Sequence, residues 1–190
     1  MQGCCAVSAD GRQQPIGSEH CPRCGTRGRR VASVTVRSIL KTGFGSAVHD
    51  DVDYRFCARP HCDVLYFDAT AWCASKHDAT IRVGLKETID PVPLCYCFGF
   101  TRADVRAEIA TTGACTIPDR ITAEVKAGRC ACEVKNPLGT CCLGDVRKAV
   151  TEALAAVLDA TAETSGDRRP WGSRCEPDDA VHPESHGGRR

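Results

Sequence analysis

The chain has 190 residues, of which 42% are hydrophobic and only 5% aromatic, so we expect two small domains rather than one large core. Its formal net charge is +1 and its basic residues are dispersed, which argues against a nucleic-acid partner. No stretch has the apolar run of a signal peptide or of a bilayer-crossing helix. We therefore expect a cytoplasmic protein without membrane insertion.

Cysteine is frequent in this chain, with 15 residues, many of them closely spaced. Thiols stay reduced in the cytoplasm, and an odd number of cysteines with paired spacings suits metal ligation better than a disulfide scaffold. The disulfide alternative stays open, because a metal-poor or oxidised preparation could form disulfides between neighbouring ligands.

The first 18 residues are expected to form a flexible segment that contains two adjacent thiols, Cys4 and Cys5. Adjacent thiols in such a segment can capture a soft ion such as Cu(I) and pass it on. The alternative is an ordinary N-terminal segment without a role, and the sequence does not decide between the two.

Residues 19–90 are predicted to form a small β-rich domain that a metal ion holds together. Cys21 and Cys24 form a knuckle in which two thiolates reach one metal, while Gly25 permits the tight turn. The stretch VASVTVRSIL (31–40) favours a β-branched strand that runs into a short helix or turn.

The second half of the predicted metal site lies between two runs of strand-forming residues. Cys57 and Cys62 occupy the turn between these runs, and four thiolates suit a closed tetrahedral Zn(II) site. His20 and His61 adjoin these ligands, so either could replace a cysteine. We favour the solvent-facing alternative for both, since four thiolates already close the site.

A half-buried strand is predicted next, in TIRVGLKETI (80–89), because apolar and polar residues alternate there. Residues 90–93 contain two prolines and mark a domain boundary. The second domain, residues 91–162, is predicted to be helical.

Three helices are predicted in the second domain. The first begins at Thr101, which forms a capping pattern with Asp104, and ends at Gly113. The second is IPDRITAEVKAG (117–128), and the third and strongest is LGDVRKAVTEALAAVLDATAE (143–163).

Six cysteines lie in two short loops that each lead into a helix, CYCFG (95–99) and CACEVKNPLGTCC (130–142). Free N–H groups and the positive end of the dipole at a helix start can stabilise an anionic cluster such as a thiolate-held 2Fe-2S centre. Gly99 and Gly139 let the backbone approach the sulfides closely. The alternative of buried small hydrophobes fits polar, glycine-containing loops poorly.

Four motifs occur in a fixed order: CPxCG, YxFCxxxxCxVxYF, CYC and CxxxNPxGxCC. In this pattern, residues 21–162 resemble the N-terminal half of archaeal CopZ-type copper chaperones. The second domain also resembles the 2Fe-2S domain of bacterioferritin-associated ferredoxins. The resemblance implies a zinc site at Cys21, Cys24, Cys57 and Cys62. It implies a 2Fe-2S cluster at Cys95, Cys97, Cys132 and Cys142.

Two cysteines of the second loop, Cys130 and Cys141, become neighbours of ligands rather than ligands in this assignment. Cys142 is favoured over Cys141 because it lies nearest the start of the strongest helix. Cys132 follows from the resemblance, and spacing alone would also allow Cys130.

The chain departs from these chaperones after residue 162, because no copper-binding domain with an MxCxxC loop follows and the one methionine is Met1. The tail, residues 163–190, has too few apolar residues to fold and is expected to be disordered. Its histidines, His182 and His186, are expected to be solvated rather than metal-bound.

The fold class predicted from these patterns is α+β, with a small zinc-stapled β-rich domain followed by a helical 2Fe-2S domain and a disordered tail. The expected function is that of a redox-active, metallochaperone-like protein of soft-metal homeostasis, with copper as the first candidate. Its expected partners are copper or another soft-metal ion and a metal transporter, chaperone or redox protein.

Two other functions remain open. One is a ferredoxin-like electron-transfer module for a reductase or metalloprotein, which the missing copper domain favours. The other is a metal-ion reductase that acts through the cluster. No separate catalytic constellation or nucleotide-binding loop is apparent in the sequence, so we do not expect another enzymatic activity.

Overall fold

The computed structural model describes residues 19–165, with side chains described as far as residue 160. It is a mixed structure with a small β-rich N-terminal part and a helical C-terminal part, which confirms the predicted combination of helix and sheet. Cys4, Cys5, His182 and His186 lie outside the described residues, as do the predicted flexible segment and all but the first residues of the predicted tail.

A four-stranded antiparallel sheet forms the N-terminal part, in the strand order β1-β2-β3-β4. Its strands are short: β1 (Arg29–Val31), β2 (Tyr54–Phe56), β3 (Val64–Phe67) and β4 (Cys73–Ser75). Two helices, α1 (Ser33–Ile39) and α2 (Thr42–Gly45), lie between β1 and β2 in the chain. The core of this part includes Val36 and Ile39 of α1 and, from the sheet, Tyr54, Phe56, Leu65 and Tyr66.

The strand predicted within residues 31–40 is much shorter than expected. Only Val31 belongs to β1, and the helix α1 begins two residues later. Val36 and Ile39 are three residues apart, so a helix turns both of them toward the sheet, where they are buried. Tertiary packing therefore overrides the strand preference of the β-branched residues.

The strand predicted for residues 80–89 is wrong. This stretch contains a short 3-10 turn, Gly84–Lys86, in which Lys86 is buried and Leu85 is exposed, opposite to the predicted alternation. Gly84 lies against the next segment of chain so closely that a Cβ atom there would overlap the carbonyl oxygen of Pro93. A contact with residues beyond the predicted boundary thus sets the local conformation.

The helical part begins with a two-stranded hairpin, β5 (Pro93–Cys95) and β6 (Phe100–Thr101), which closes the first cysteine loop. The following helices are α3 (Arg102–Thr112), α4 (Ile117–Lys126), the short α5 (Cys132–Lys135) and α6 (Leu143–Ser165). Their shared core contains Val105, Ile109, Ile117, Ile121, Val146 and Ala149. The three predicted helices are confirmed.

The predicted cap of α3 is present in full. The Thr101 N–H donates to Oδ2 of Asp104 at 2.8 Å, and the Asp104 N–H donates to Oγ1 of Thr101 at 3.2 Å. Gly113 ends the helix with φ of 74°, in the left-handed region that glycine adopts readily. Both signals are local, which explains why the sequence alone revealed them.

The second cysteine loop is folded against the β-rich part. The Tyr66 hydroxyl donates to the carbonyl oxygen of Pro137 at 2.6 Å, and Oγ1 of Thr35 donates to the carbonyl oxygen of Glu133 at 2.7 Å. Leu138 is buried in the first core rather than the second. Packing therefore crosses the boundary predicted near residue 90.

Among residues 19–165, no helix combines the length and the apolar composition that crossing a membrane requires. The longest, α6, has 23 residues.

Gly139 lies in the contact between the two parts at a position that does not accept a side chain. Its φ is 67°, and an added Cβ would lie 2.6 Å from Oγ1 of Thr35. We expect Gly139→Ala to destabilise the protein by about 1–3 kcal/mol, because it combines backbone strain with a steric clash. Chemical denaturation followed by circular dichroism measures this change in the free energy of unfolding.

Gly144→Ala is the matched control, because Gly144 lies in the first turn of α6 and an added Cβ would meet nothing within 4 Å. We expect this substitution to be neutral or stabilising by up to about 1 kcal/mol. Equal unfolding free energies for Gly139→Ala and the wild type would contradict the described contact.

Candidate metal centres

Four cysteines converge at one end of the N-terminal sheet. Cys21 and Cys24 come from the turn before β1, and Cys57 and Cys62 come from the turn between β2 and β3. The four sulfur atoms all lie within 4.8 Å of one another. The structure thus brings together the four cysteines predicted to bind zinc, and we call them the thiol quartet.

Backbone hydrogen bonds shape both turns of the thiol quartet. In the first turn the Gly25 N–H donates to the Cys21 carbonyl at 2.9 Å, and Gly25 has φ of 69°. In the second, the Cys57 N–H donates to the Leu65 carbonyl at 2.9 Å, and the Cys62 N–H donates to the Arg59 carbonyl at 3.2 Å. Each pair of thiols is therefore positioned by the backbone of its own turn.

The thiols of the quartet differ in how readily they ionise. The closest sulfur contacts in the quartet are Cys24–Cys57 at 3.6 Å and Cys21–Cys62 at 3.8 Å. The neighbouring Cys21 thiol, and further the charge of Lys86, lower the pKa of Cys57 to about 5. Interaction with Cys57 raises the pKa of Cys21, and burial raises that of Cys62 to about 11. Four closely spaced thiols of this kind are the donor set that a divalent soft-metal cation such as Zn(II) binds.

The two histidines considered as alternative ligands, His20 and His61, are both exposed. Within residues 19–165, the thiol quartet is the only group of three or more candidate ligands whose atoms lie this close together, and neither histidine belongs to it.

A second set of cysteines lies where the two cysteine loops meet. The sulfur of Cys97, between β5 and β6, is 3.5 Å from that of Cys132, the first residue of α5. The thiols of Cys95 and Cys142 form a second pair, close enough for each to shift the pKa of the other, and these two side chains are almost fully buried, with 1% and 2% exposure. Each pair takes one cysteine from each loop.

Hydrogen bonds and burial also set the pKa values in this second set. The pKa of Cys95 is lowered to about 6 by a hydrogen bond from Cys142 and by backbone N–H groups of Phe98 and Cys97. The pKa of Cys142 is raised by the same pairing. Burial raises the pKa of Cys132 to about 12, and hydrogen bonding with Cys97 adds to this.

Cys130 and Cys141 flank this second set without joining the two close pairs. Cys130 is half-buried and Cys141 is exposed. Both lie near enough to Cys132 for their charge to raise its pKa.

Sequence reasoning missed Tyr66 and Thr35 as supports of the second cysteine loop. Their partners, Pro137 and Glu133, are 71 and 98 positions away in the chain. No local pattern signals contacts at such separations.

Residues 18–79 match a family model described as a zinc binding domain, of the CopZ type. The chain therefore belongs, through its N-terminal part, to the CopZ-type zinc-binding family, and this confirms the zinc-binding half of the predicted resemblance. The predicted likeness of the second part to bacterioferritin-associated ferredoxins stays a prediction.

Two particular proteins share this similarity over a longer stretch. The chain is 35% identical over 123 residues to the copper chaperone CopZ of Archaeoglobus fulgidus, a match that covers 64% of this chain and 57% of that protein. It is also similar to the X-ray structure of the N-terminal domain of A. fulgidus CopZ, with a TM-score of 0.55 and 32% identity. That match covers 68% of this chain and 95% of the domain. The chain thus spans little more than half of the full-length relative.

Cys62 and Cys73 provide a matched pair of variants for the zinc assignment, since they are 4% and 8% exposed and pack in the same cluster. Cys73 is not a member of the thiol quartet. We expect Cys62→Ser to lose zinc on dialysis against a chelator that leaves the wild type loaded, because it removes one of four thiolate ligands.

Cys73→Ser is expected to retain one zinc ion per chain under the same dialysis, as measured by elemental analysis. Zinc retention by Cys62→Ser at the wild-type level would contradict the predicted ligand set.

Proposed function

We propose that the chain is a cytoplasmic protein of soft-metal homeostasis, with copper as the metal it handles. It holds a structural Zn(II) ion at Cys21, Cys24, Cys57 and Cys62. It holds a redox-active 2Fe-2S cluster at Cys95, Cys97, Cys132 and Cys142. The proposal rests first on the similarity to the N-terminal domain of a copper chaperone, which extends over 95% of that domain.

The length of the matched sequence supports a role for the second part of the chain in the proposed function. The 123-residue match to copper chaperone CopZ is about twice as long as the zinc-binding family match at residues 18–79. It therefore includes sequence outside the zinc-binding domain.

The second set of cysteines fits a 2Fe-2S cluster in number and pairing. Such a cluster takes four thiolates, two on each iron. The Cys97–Cys132 pair, with its sulfurs 3.5 Å apart, and the Cys95–Cys142 pair would together supply these four thiolates. Two of them would come from each loop, so neither loop alone could retain the cluster.

Backbone N–H groups directed at these sulfurs also favour an anionic group. The Ala131 N–H donates to the sulfur of Cys97 at 3.3 Å, and the N–H groups of Cys97 and Phe98 donate to the sulfur of Cys95. Hydrogen bonds of this kind stabilise the negative charge of thiolate-held clusters and tune their reduction potential.

The two proposed metal centres have different chemical roles. Zinc has no redox chemistry, and a closed site with four thiolates holds structure rather than reacting. A bound 2Fe-2S cluster supplies one-electron chemistry. Cys97 and Cys132 are half-buried whereas Cys95 and Cys142 are almost inaccessible, so electron exchange is expected on the Cys97–Cys132 side.

The difference in solvent exposure between the two cysteine pairs also favours a second candidate function. This is a ferredoxin-like electron-transfer module that docks on a reductase or metalloprotein. The two functions imply different partners: a copper ion together with a metal transporter or chaperone in the first case, and a redox protein in the second. They can be separated by experiment.

Anaerobically purified full-length protein is expected to contain about two irons, two sulfides and one zinc per chain. If the protein handles copper, it retains stoichiometric Cu(I) in the presence of a competing Cu(I) chelator. Absence of Cu(I) binding together with electron transfer to an isolated redox partner would favour the module instead. Absence of iron and sulfide in the wild type would defeat the cluster assignment.

Serine substitutions in the second loop test which cysteines hold the cluster. We expect Cys132→Ser and Cys142→Ser to lose iron, sulfide and visible absorbance, because each removes one member of a close pair. Cys130→Ser and Cys141→Ser are the matched controls, each one or two positions away, and are expected to keep the cluster.

Circular dichroism of all four variants shows whether they are folded. The assignment at this loop would be reversed if the control variants, Cys130→Ser or Cys141→Ser, folded but lost the cluster absorbance. In that case Cys132→Ser or Cys142→Ser would keep it.

A further inference from the structure

Lys86 is a buried cation in the β-rich part, with only 5% of its surface exposed. The other buried cation, Arg55, forms ion pairs with Glu19 and Asp53. Among residues 19–160, whose side chains the structure describes, no ion pair joins a carboxylate to the Lys86 ammonium group. A buried charge is costly unless an opposite charge compensates it, so Lys86 requires an anion of another kind.

The position of the ammonium group indicates which anion this is. Nζ of Lys86 donates to the carbonyl oxygens of Arg59 at 2.7 Å and of Cys62 at 3.0 Å. It also lies 5.8 Å from the ring centroid of Phe56, the residue that precedes Cys57. The ammonium group thus contacts the short turn, residues 57–62, that supplies half of the thiol quartet.

The charge of a loaded quartet complements that of Lys86. Two carbonyl groups satisfy hydrogen bonds of the ammonium group but carry no net charge. A zinc ion with four thiolates has a formal charge of about −2, and it would lie beside the turn that Lys86 holds.

We infer that Lys86 is a positioning and charge-balancing residue of the zinc site. Its two hydrogen bonds fix the 57–62 turn, and its positive charge offsets the negative charge of the loaded thiol quartet. The inference rests on the proposed binding of zinc by the quartet.

The placement of Lys86 depends on the Gly84–Lys86 turn. At the other end of this turn, the Gly84 N–H donates to the Tyr96 hydroxyl at 2.7 Å. Tyr96 lies between the two cysteines of the first cysteine loop. Gly84 also packs against Pro93 too closely to accept a side chain. The turn that carries Lys86 to the zinc site is therefore held by the helical part of the protein.

The test compares zinc affinities of full-length variants by competition with a chromophoric chelator. Lys86→Met keeps the length and apolar stem of the side chain but removes the charge and the donors. We expect it to weaken zinc binding about 10- to 100-fold, the usual effect of losing an outer-shell partner of a metal site. Lys86→Arg, which keeps the charge and the donors, is expected to recover most of this loss.

Lys76→Met is the matched control, because Nζ of Lys76 lies 3.6 Å from Oδ1 of Asp63, the residue next to Cys62, and its side chain is 29% exposed. Its zinc affinity is expected to stay within about twofold of the wild type, since ion pairs that solvent reaches contribute little. Should Lys86→Met fail to fold, Lys86→Gln removes the charge while keeping one donor, and the same comparison applies.

Wild-type zinc affinity in a folded Lys86→Met or Lys86→Gln variant would overturn the inference. So would an equal loss of thermal stability in the zinc-free and zinc-loaded forms of Lys86→Met, because that would indicate a packing role only. A wild-type protein that binds no zinc at all, or a Cys62→Ser variant that binds it normally, would instead refute the zinc assignment itself.

Discussion

The convergence of four thiols from two separate turns is the constraint on which the N-terminal part depends. The four sulfurs lie within 4.8 Å of one another. A divalent cation bound by all four would join the turn before β1 to the turn between β2 and β3. Since the strands of this sheet have only three or four residues, such a crosslink would contribute much of what holds them together.

The β-rich part in turn supports the second cysteine loop. Tyr66 and Thr35 each donate to a backbone carbonyl in that loop, Leu138 inserts into the first core, and Gly139 passes close to Thr35. The helices α3, α4 and α6 have a core of their own. The loop proposed to hold half of the cluster ligands nevertheless takes its shape from the other part of the chain, which links the two proposed metal centres through ordinary packing.

The two proposed metal centres differ in solvent exposure, and this difference agrees with the separate chemical roles proposed for them. The thiol quartet is largely buried at the end of the sheet, and the Lys86 ammonium group contacts the turn that carries two of its cysteines. The second set has one inaccessible pair and one pair that borders the solvent, with the exposed Cys141 beside it. A structural ion in the closed centre and electron exchange at the open one is the simplest chemistry that both geometries permit.

The sequence alone determined the features that depend on neighbouring residues. The turn at Cys21 to Gly25, the cap formed by Thr101 and Asp104, and the three long helices were all predictable, because their signals lie within a few positions of one another. The order of the cysteine motifs likewise pointed to the CopZ-type zinc-binding family. Only the tertiary structure decided that residues 80–89 form no strand, that Lys86 lies at the quartet, and that Cys97 pairs with Cys132. The last two features depend on residues more than 20 positions apart. The first depends on the close approach of Pro93 and Tyr96 to Gly84. No local pattern records such packing.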